Sequence, residues 1–373
     1  MQMGLNLGKF RIEIERKQKI VKLLPEIMGP VVALTLALLV ASLIVMASGA
    51  NPIEAYASMW DGAFGSFRSF SETLVKATPL LLAALGLTIS YRTGLVSVGS
   101  EGQMIIGALF ATLAGIYFQG LPGLIILPIV MIAGMLGGGL WGAIPGYLKA
   151  RLGVSEVINT IMLNYVAIFF VAYLLDVPLR EPPGYFPQSA MIAPEAWLPP
   201  LVTGTRLHAG VGIAIISVLV VYFLLWRSPI GYQMRAVGFS QTAAKNSGIH
   251  VQKNLILAMS LSGVFAGLAG MVEISALHHR LMNGFSSEYG FDAMAVALLG
   301  KLHPAGVVIA SLFFGALRVG ANMMQRTVQV PASLVFVIQG LVILFVLMDA
   351  LFRNYIVRVS TRMSREDDLN GCK

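Results

Sequence analysis

Charge is scarce in this chain: Asp, Glu, Lys and Arg supply 12% of its 373 residues, and hydrophobic residues supply 57%. An ordinary soluble domain carries roughly 25% charged residues, so with a mean hydropathy of +0.78 the deficit places this chain in a bilayer. Its one cysteine, Cys372, excludes an internal disulfide and a thiolate metal cage and leaves the redox compartment undetermined. The histidines, His208, His250, His278, His279 and His303, show no metal-ligand spacing. No G-x-x-x-x-G-K-[ST] occurs, because Gly8-Lys9 and Gly300-Lys301 run on into Phe10 and Leu302, so no ATP is expected on a P-loop of this chain. There is likewise no G-x-S-x-G elbow, no H-E-x-x-H and no convincing triad, which argues against intrinsic catalysis.

What the chain does have is long apolar runs. A helix needs about 20 mostly apolar residues to cross the hydrocarbon core. On that rule ten spans are expected, near 29–48, 72–90, 103–119, 122–148, 156–175, 208–226, 255–275, 291–302, 304–323 and 331–352, the eighth being short. The expected fold class is therefore an all-α polytopic membrane protein with about ten transmembrane helices. Its parts would be an amphipathic cytoplasmic segment (1–28), a transmembrane domain (29–352) and a cytoplasmic tail (353–373). The first run is read as an anchor, since no small-residue cleavage site follows it.

The net charge of +8 belongs to sidedness and not to nucleic acid, because the charges lie beside apolar spans. With the N-terminus inside, only Arg68, Lys76 (at the outer end of its span), Arg180, Arg206, Arg280 and Arg326 fall on the outer face; apart from Arg318, well within a span, every other lysine and arginine is cytoplasmic, Lys301 at the inner end of the eighth span. That asymmetry predicts an N-in, C-in topology. Spans 2–5 and 7–10 then run in opposite directions, as an inverted repeat would, and "GLVSVGSEGQMIIGALFATLAG" and "GFSSEYGFDAMAVALLG" are each a polar Gly/Ser-rich lead into a small-residue helix. Interrupted segments of this kind mark pathways through membranes.

Several side chains stand out against this apolar background. Ser100 and Gln103 have the S-x-x-Q spacing of a capping box at the start of the third span. Glu101, one position in, is favoured there by the helix dipole, and as an ionisable residue near membrane depth it is a candidate for lining or gating a polar path. In the fifth span, "VSEVINTIMLNYVAIFF", Thr160 and Asn164 share a face and Asn159 points elsewhere. These amides serve either as glue between helices or as hydrogen-bond partners of a polar uncharged solute. Glu273 falls near the outer end of the seventh span, and Asp292 begins the eighth, where capping is its plainest role. Gly134, Gly138, Gly142 and Gly146 recur every four residues, a ridge for close helix packing.

The loop "RSPIGYQMRAVGFSQTAAKNSGIHVQKN" is basic, free of acidic residues and cytoplasmic by charge. It holds a short helix, capped by Ser240 and closed by Gly248, with Ala243 and Ala244 in its middle. So short a helix is marginal alone in water, which points to something docking on it.

Together these stretches resemble the permease subunits of bacterial ABC importers in the branched-chain amino acid and ribose class, nucleoside-type branch. "RTGLVSVGSEGQMIIGA" looks like that branch's RTGLxNIGxEGQ signature, with Ser97 where the signature has asparagine. "EVINTIMLNYVA" is similar to its fifth-span motif, "AVGFSQTAAKNSGI" to its ATPase-coupling loop, and "GFDAMAVALLGKLHPAGVVIASLFFGAL" to its last third, so the likeness runs from about Thr73 to Phe352. The resemblance implies a multi-pass protein of the bacterial inner membrane that takes up nucleosides by alternating access. It implies ATP on a separate ATP-binding cassette subunit, a solute-binding protein or lipoprotein at the outer face, and a second permease, homologous or identical. It assigns coupling to Arg235, Gly238, Ala243, Ala244, Ser247, Gly248 and Ile249. The path candidates are Glu101, Gln103, Asn159 and Asn164, with no metal and no cofactor on this chain. Competing readings are a permease for a simple sugar such as ribose, an ion-coupled secondary transporter, and a membrane scaffold.

Overall fold

The computed structural model describes residues 49–182, 184 and 186–329, with 3–7, 10–16, 35–36, 39–47, 337, 340–341, 344 and 355–361. Two compact units divide the chain. One comprises Met1–Pro52 and Val330–Lys373, the other Ile53–Gln329. In the first, β1 (Met3–Leu7), β2 (Phe10–Arg16) and β3 (Tyr355–Thr361) form an antiparallel sheet in the order β1-β2-β3, with Ile12 opposite Val359. The alternation of "FRIEIER" has the period of a strand. The expected tenth span lies largely outside the described residues; of the expected first, 35–36 and 39–47 are described and helical.

The second unit is helical: α1 (Pro52–Phe64), α2 (Phe67–Arg92), α3 (Ser100–Tyr117), α4 (Gly123–Leu152), α5 (Glu156–Asp176), α6 (Gly210–Tyr222), α7 (Pro229–Phe239), α8 (Gln241–Asn246), α9 (Val251–Glu273), α10 (Tyr289–Leu299) and α11 (Pro304–Val328). Single π-turns extend α6 to Arg227 and α9 to His278. Six described helices are long and apolar enough to cross a bilayer, and they coincide with the expected second, fourth, fifth, sixth, seventh and ninth spans. The expected eighth span is short, as its sequence indicated, but does not cross as a helix: α10 has 11 residues, about 16 Å at 1.5 Å per residue, and reaches only half of a core roughly 30 Å thick.

Burial separates centre from periphery. The apolar window of α2 is 89% buried, that of α9 72%, that of α5 only 22%. α2 and α9 lie against each other; α9 packs on α4 and α3, and α2 packs on α11 and α10. Exchanging α2 with α9, α3 with α10 and α4 with α11 maps this set of contacts onto itself, as an internal structural repeat requires. The glycine ridge works as expected. A side chain on Gly138 would overlap the Gly263 carbonyl and the Gly267 backbone, and one on Gly142 would overlap the Met259 carbonyl, so α4 and α9 touch backbone to backbone.

Candidate functional site

α2 ends at Arg92, where Gly94 adopts φ +81 and Leu95 returns a hydrogen bond to the Ser90 carbonyl at 3.0 Å, a glycine-terminated helix stop. The chain then runs extended to Ser100 and re-enters a helix. Arg92 marks the cytoplasmic level. Its Nε donates to the Leu302 carbonyl at 2.9 Å and its Nη2 to the Lys301 carbonyl at 3.2 Å, just beyond the C-terminus of α10. Since α10 rises about 16 Å from there, its N-terminus stands off that level by about half the thickness of a bilayer core. The N-terminus of α3 meets it at that depth.

Each of these half-buried helix starts is capped from another part of the chain. Asn164 on α5 accepts from Gly102 N–H through Oδ1 at 2.9 Å and donates to the Val98 carbonyl through Nδ2 at 2.9 Å. Thr160, one turn earlier, accepts from Val98 N–H at 3.2 Å, so the shared face of Thr160 and Asn164 grips the chain leading into α3. Ser97 Oγ accepts from Gly99 N–H at 3.3 Å, and its carbonyl accepts from the Tyr91 hydroxyl at 2.9 Å. Glu101, buried, accepts from Gly290 N–H at 2.7 Å and from the Ser286 hydroxyl, which caps α10 from α3. Beside it Arg318 Nε donates to Asp292 Oδ2 at 3.1 Å, Nη2 donates to the Ser287 carbonyl at 2.9 Å, and the guanidinium lies 4.3 Å from the Tyr289 ring centre.

The capping box expected of Ser100 and Gln103 is not formed. α3 begins with Gly99 at its cap and no side-chain cap bond, and the Ser100 hydroxyl and the Gln103 amide have no hydrogen-bond partner among the described residues. Asn164 has taken that task. Asp292 does not cap α10 either; it lies within the first turn, whose cap position is Glu288, and pairs with Arg318. Of the four path candidates, Glu101 borders a cavity of about 450 Å³, with Tyr165, Phe169, Ser286, Glu288 and Phe291 among its other walls. That volume is in the usual range for small-molecule sites. Gln103 and Asn164 are buried and do not border it, and Asn159 is half-buried with its Nδ2 unpartnered among the described residues. Ser286 and Gly290 were missed; "GFSSEYG" marks a polar interruption, but no spacing rule ties it to Glu101.

The cytoplasmic loop folds as expected. Ser240 caps α8 by accepting from Ala243 N–H at 3.3 Å, Gly248 takes φ +79, Ala243 and Ser247 are exposed, and Ala244 is buried. Arg235 and Gly238 belong to α7, Arg235 half-buried and Gly238 exposed but packed against the end of α2. A side chain on Gly238 would overlap the Arg92 carbonyl, and Gly94 sits directly against the Gly238 backbone. The Trp226 ring centre lies 5.4 Å from the Arg92 guanidinium and 6.0 Å from that of Arg235, with the His303 ring edge-on at 4.9 Å. A basic cleft of about 910 Å³, bordered by Lys149, Arg151, Lys245, Ile249 and Lys253, opens between α4 and α8.

Residues 69–347 match the family of the branched-chain amino acid transport system permease component. The chain belongs to this family. The permease is 37% identical over 330 residues to the guanosine ABC transporter permease protein of Bacillus subtilis, covering 87% of this chain and 94% of that one. It is 34% identical to a glucose ABC transporter permease protein of Haloferax volcanii (89% and 90% covered) and 33% identical to a nucleoside ABC transporter permease protein of Lactococcus lactis (86% and 90%). No solved structure gives a match.

Proposed function

We propose that this permease is the membrane subunit of an ATP-driven nucleoside importer in a bacterial inner membrane. The observation that carries the reading is the meeting of two half-membrane helix starts at Glu101 beside a cavity, in a chain whose relatives include guanosine and nucleoside permeases. Irregular backbone at such depth is tolerated where protein buries it or a route for solute passes. ATP is bound and hydrolysed by separate ATP-binding cassette subunits, a solute-binding protein or lipoprotein delivers solute outside, and a second permease, a homologous chain or another copy, closes the open side of the cavity along α5. Glu101 lines the path, Asn164 sets the start of α3 beside it, and Gln103 and Asn159 hold unpartnered amide groups nearby. α8, with Ala243, Ala244, Ser247, Gly248 and Ile249, docks in the ATPase, while Arg235 and Gly238 pass its movement to the end of α2. Alternating access follows if ATP binding favours one of two states.

Uptake of labelled adenosine and guanosine in cells with and without the gene tests this. Loss of uptake on deletion, with competition by unlabelled nucleosides and not by ribose, is the expected result. Competition by ribose or glucose alone would move the substrate to a simple sugar, the second reading, which the Haloferax relative favours.

A further inference from the structure

The cavity beside Glu101 has a polarity that transport in general does not require. Its walls include Glu101, Glu288, Ser286 and the aromatic residues Tyr165, Phe169 and Phe291, and among the described residues no lysine, arginine or histidine borders it. Arg318, close by, is engaged by Asp292, the Ser287 carbonyl and the Tyr289 ring. A helix N-terminus is a ready-made anion site, and transporters with broken helices aim such ends at anionic groups of their substrates. Here both ends are already occupied from within the chain. Asn164 takes Gly102 N–H, and the Glu101 carboxylate, itself buried, takes Gly290 N–H and the Ser286 hydroxyl. Ser287 and Glu288 hold the adjoining loop at φ 44 and 62, a conformation that non-glycine residues keep only where the surroundings enforce it.

An anionic solute entering this cavity would meet carboxylates and find no free counter-charge. An uncharged solute with a planar base would meet aromatic faces to stack on and carboxylate and hydroxyl groups to bond its N–H and O–H groups. We infer that the cavity is a transit site for an uncharged, base-bearing solute, and that Glu101, standing where a substrate anion would sit at the N-terminus of α10, determines this selectivity by turning away phosphorylated and carboxylate-bearing solutes. The base-bearing part rests on the nucleoside reading above.

Photolabelling of the complete importer in membranes with 8-azidoguanosine and with its 5′-monophosphate tests the site. The nucleoside should label peptides containing Tyr165 and Phe169, or Phe291, and excess guanosine but not ribose should suppress it. The monophosphate should label these peptides roughly tenfold more weakly. Glu101→Gln retains a carbonyl for Gly290 N–H and removes the charge; it should narrow the gap to about threefold or less. Glu288→Gln, at an exposed position, should act in the same direction and guards against misfolding of the first variant. Labelling confined to other segments, equal labelling by the monophosphate in the wild type, or an unchanged gap in both variants would overturn the inference. If wild-type cells take up guanosine while any of these holds, the nucleoside reading stands and the site alone fails. If they take up no nucleoside, both fail.

Discussion

Asn164 uses one buried amide to satisfy both a first-turn donor of α3 and a carbonyl of the extended chain before it, each at 2.9 Å. Asn164→Ala would leave Gly102 N–H and the Val98 carbonyl without these partners where water is scarce. The expected cost is on the order of 2–4 kcal/mol, seen as a lower thermal midpoint in detergent, with Asn164→Leu no better because shape is not what is lost. The sequence made half of this legible. The spacing of Thr160 and Asn164 put them on one face, apart from Asn159, and so they are found. The task of that face was hidden, because S-x-x-Q at Ser100 and Gln103 offers a local cap and the true cap comes from 62 residues away. Asp292 repeats the lesson: its position near a helix start reads as a cap, whereas Arg318, 26 residues on, claims its carboxylate.

At the scale of elements, what is local was legible and what depends on docking was not. α8 is bounded by Ser240 and Gly248 in sequence and in space alike, since both caps act within one turn. The close approach of Gly94 to Gly238 has no sequence signature beyond two glycines far apart. It nevertheless completes a continuous line of contacts from α8: through α7 to the end of α2, and through Arg92 to the Lys301 and Leu302 carbonyls under α10, the route that the proposed coupling would use. Ala243→Trp enlarges the exposed face of α8 without disturbing that route, so it should leave the permease folded and inserted while ATP hydrolysis by the complex no longer drives uptake. Coupled uptake at the wild-type ratio of ATP per solute would remove α8 from the docking role. Trp226→Ala acts one step further in. It removes the ring shared by Arg92 and Arg235 and should lower uptake at a preserved level of ATP hydrolysis.

Over the whole molecule the two halves are locked to each other at mid-depth. The polytopic helical plan and the opposed direction of its halves follow from hydropathy and charge alone, and the shortness of α10 already shows in an apolar run that Lys301, His303 and Pro304 end; what hydropathy does not give is the cap that α10 receives from Glu101 on α3. The Glu101–Gly290 bond also imposes an order on biogenesis. Its partners lie 189 positions apart, and a ribosome adding about 5–20 residues per second needs roughly 10–40 s to bridge them. For that interval a carboxylate waits inside a half-made protein with its later partner unsynthesised. A chain truncated before Tyr289 should therefore be degraded faster than the full chain in a pulse-chase experiment, and co-expression of the missing C-terminal part should restore its lifetime. The insertion machinery, or a chaperone beside it, has to shelter Glu101 from lipid until translation supplies its cap.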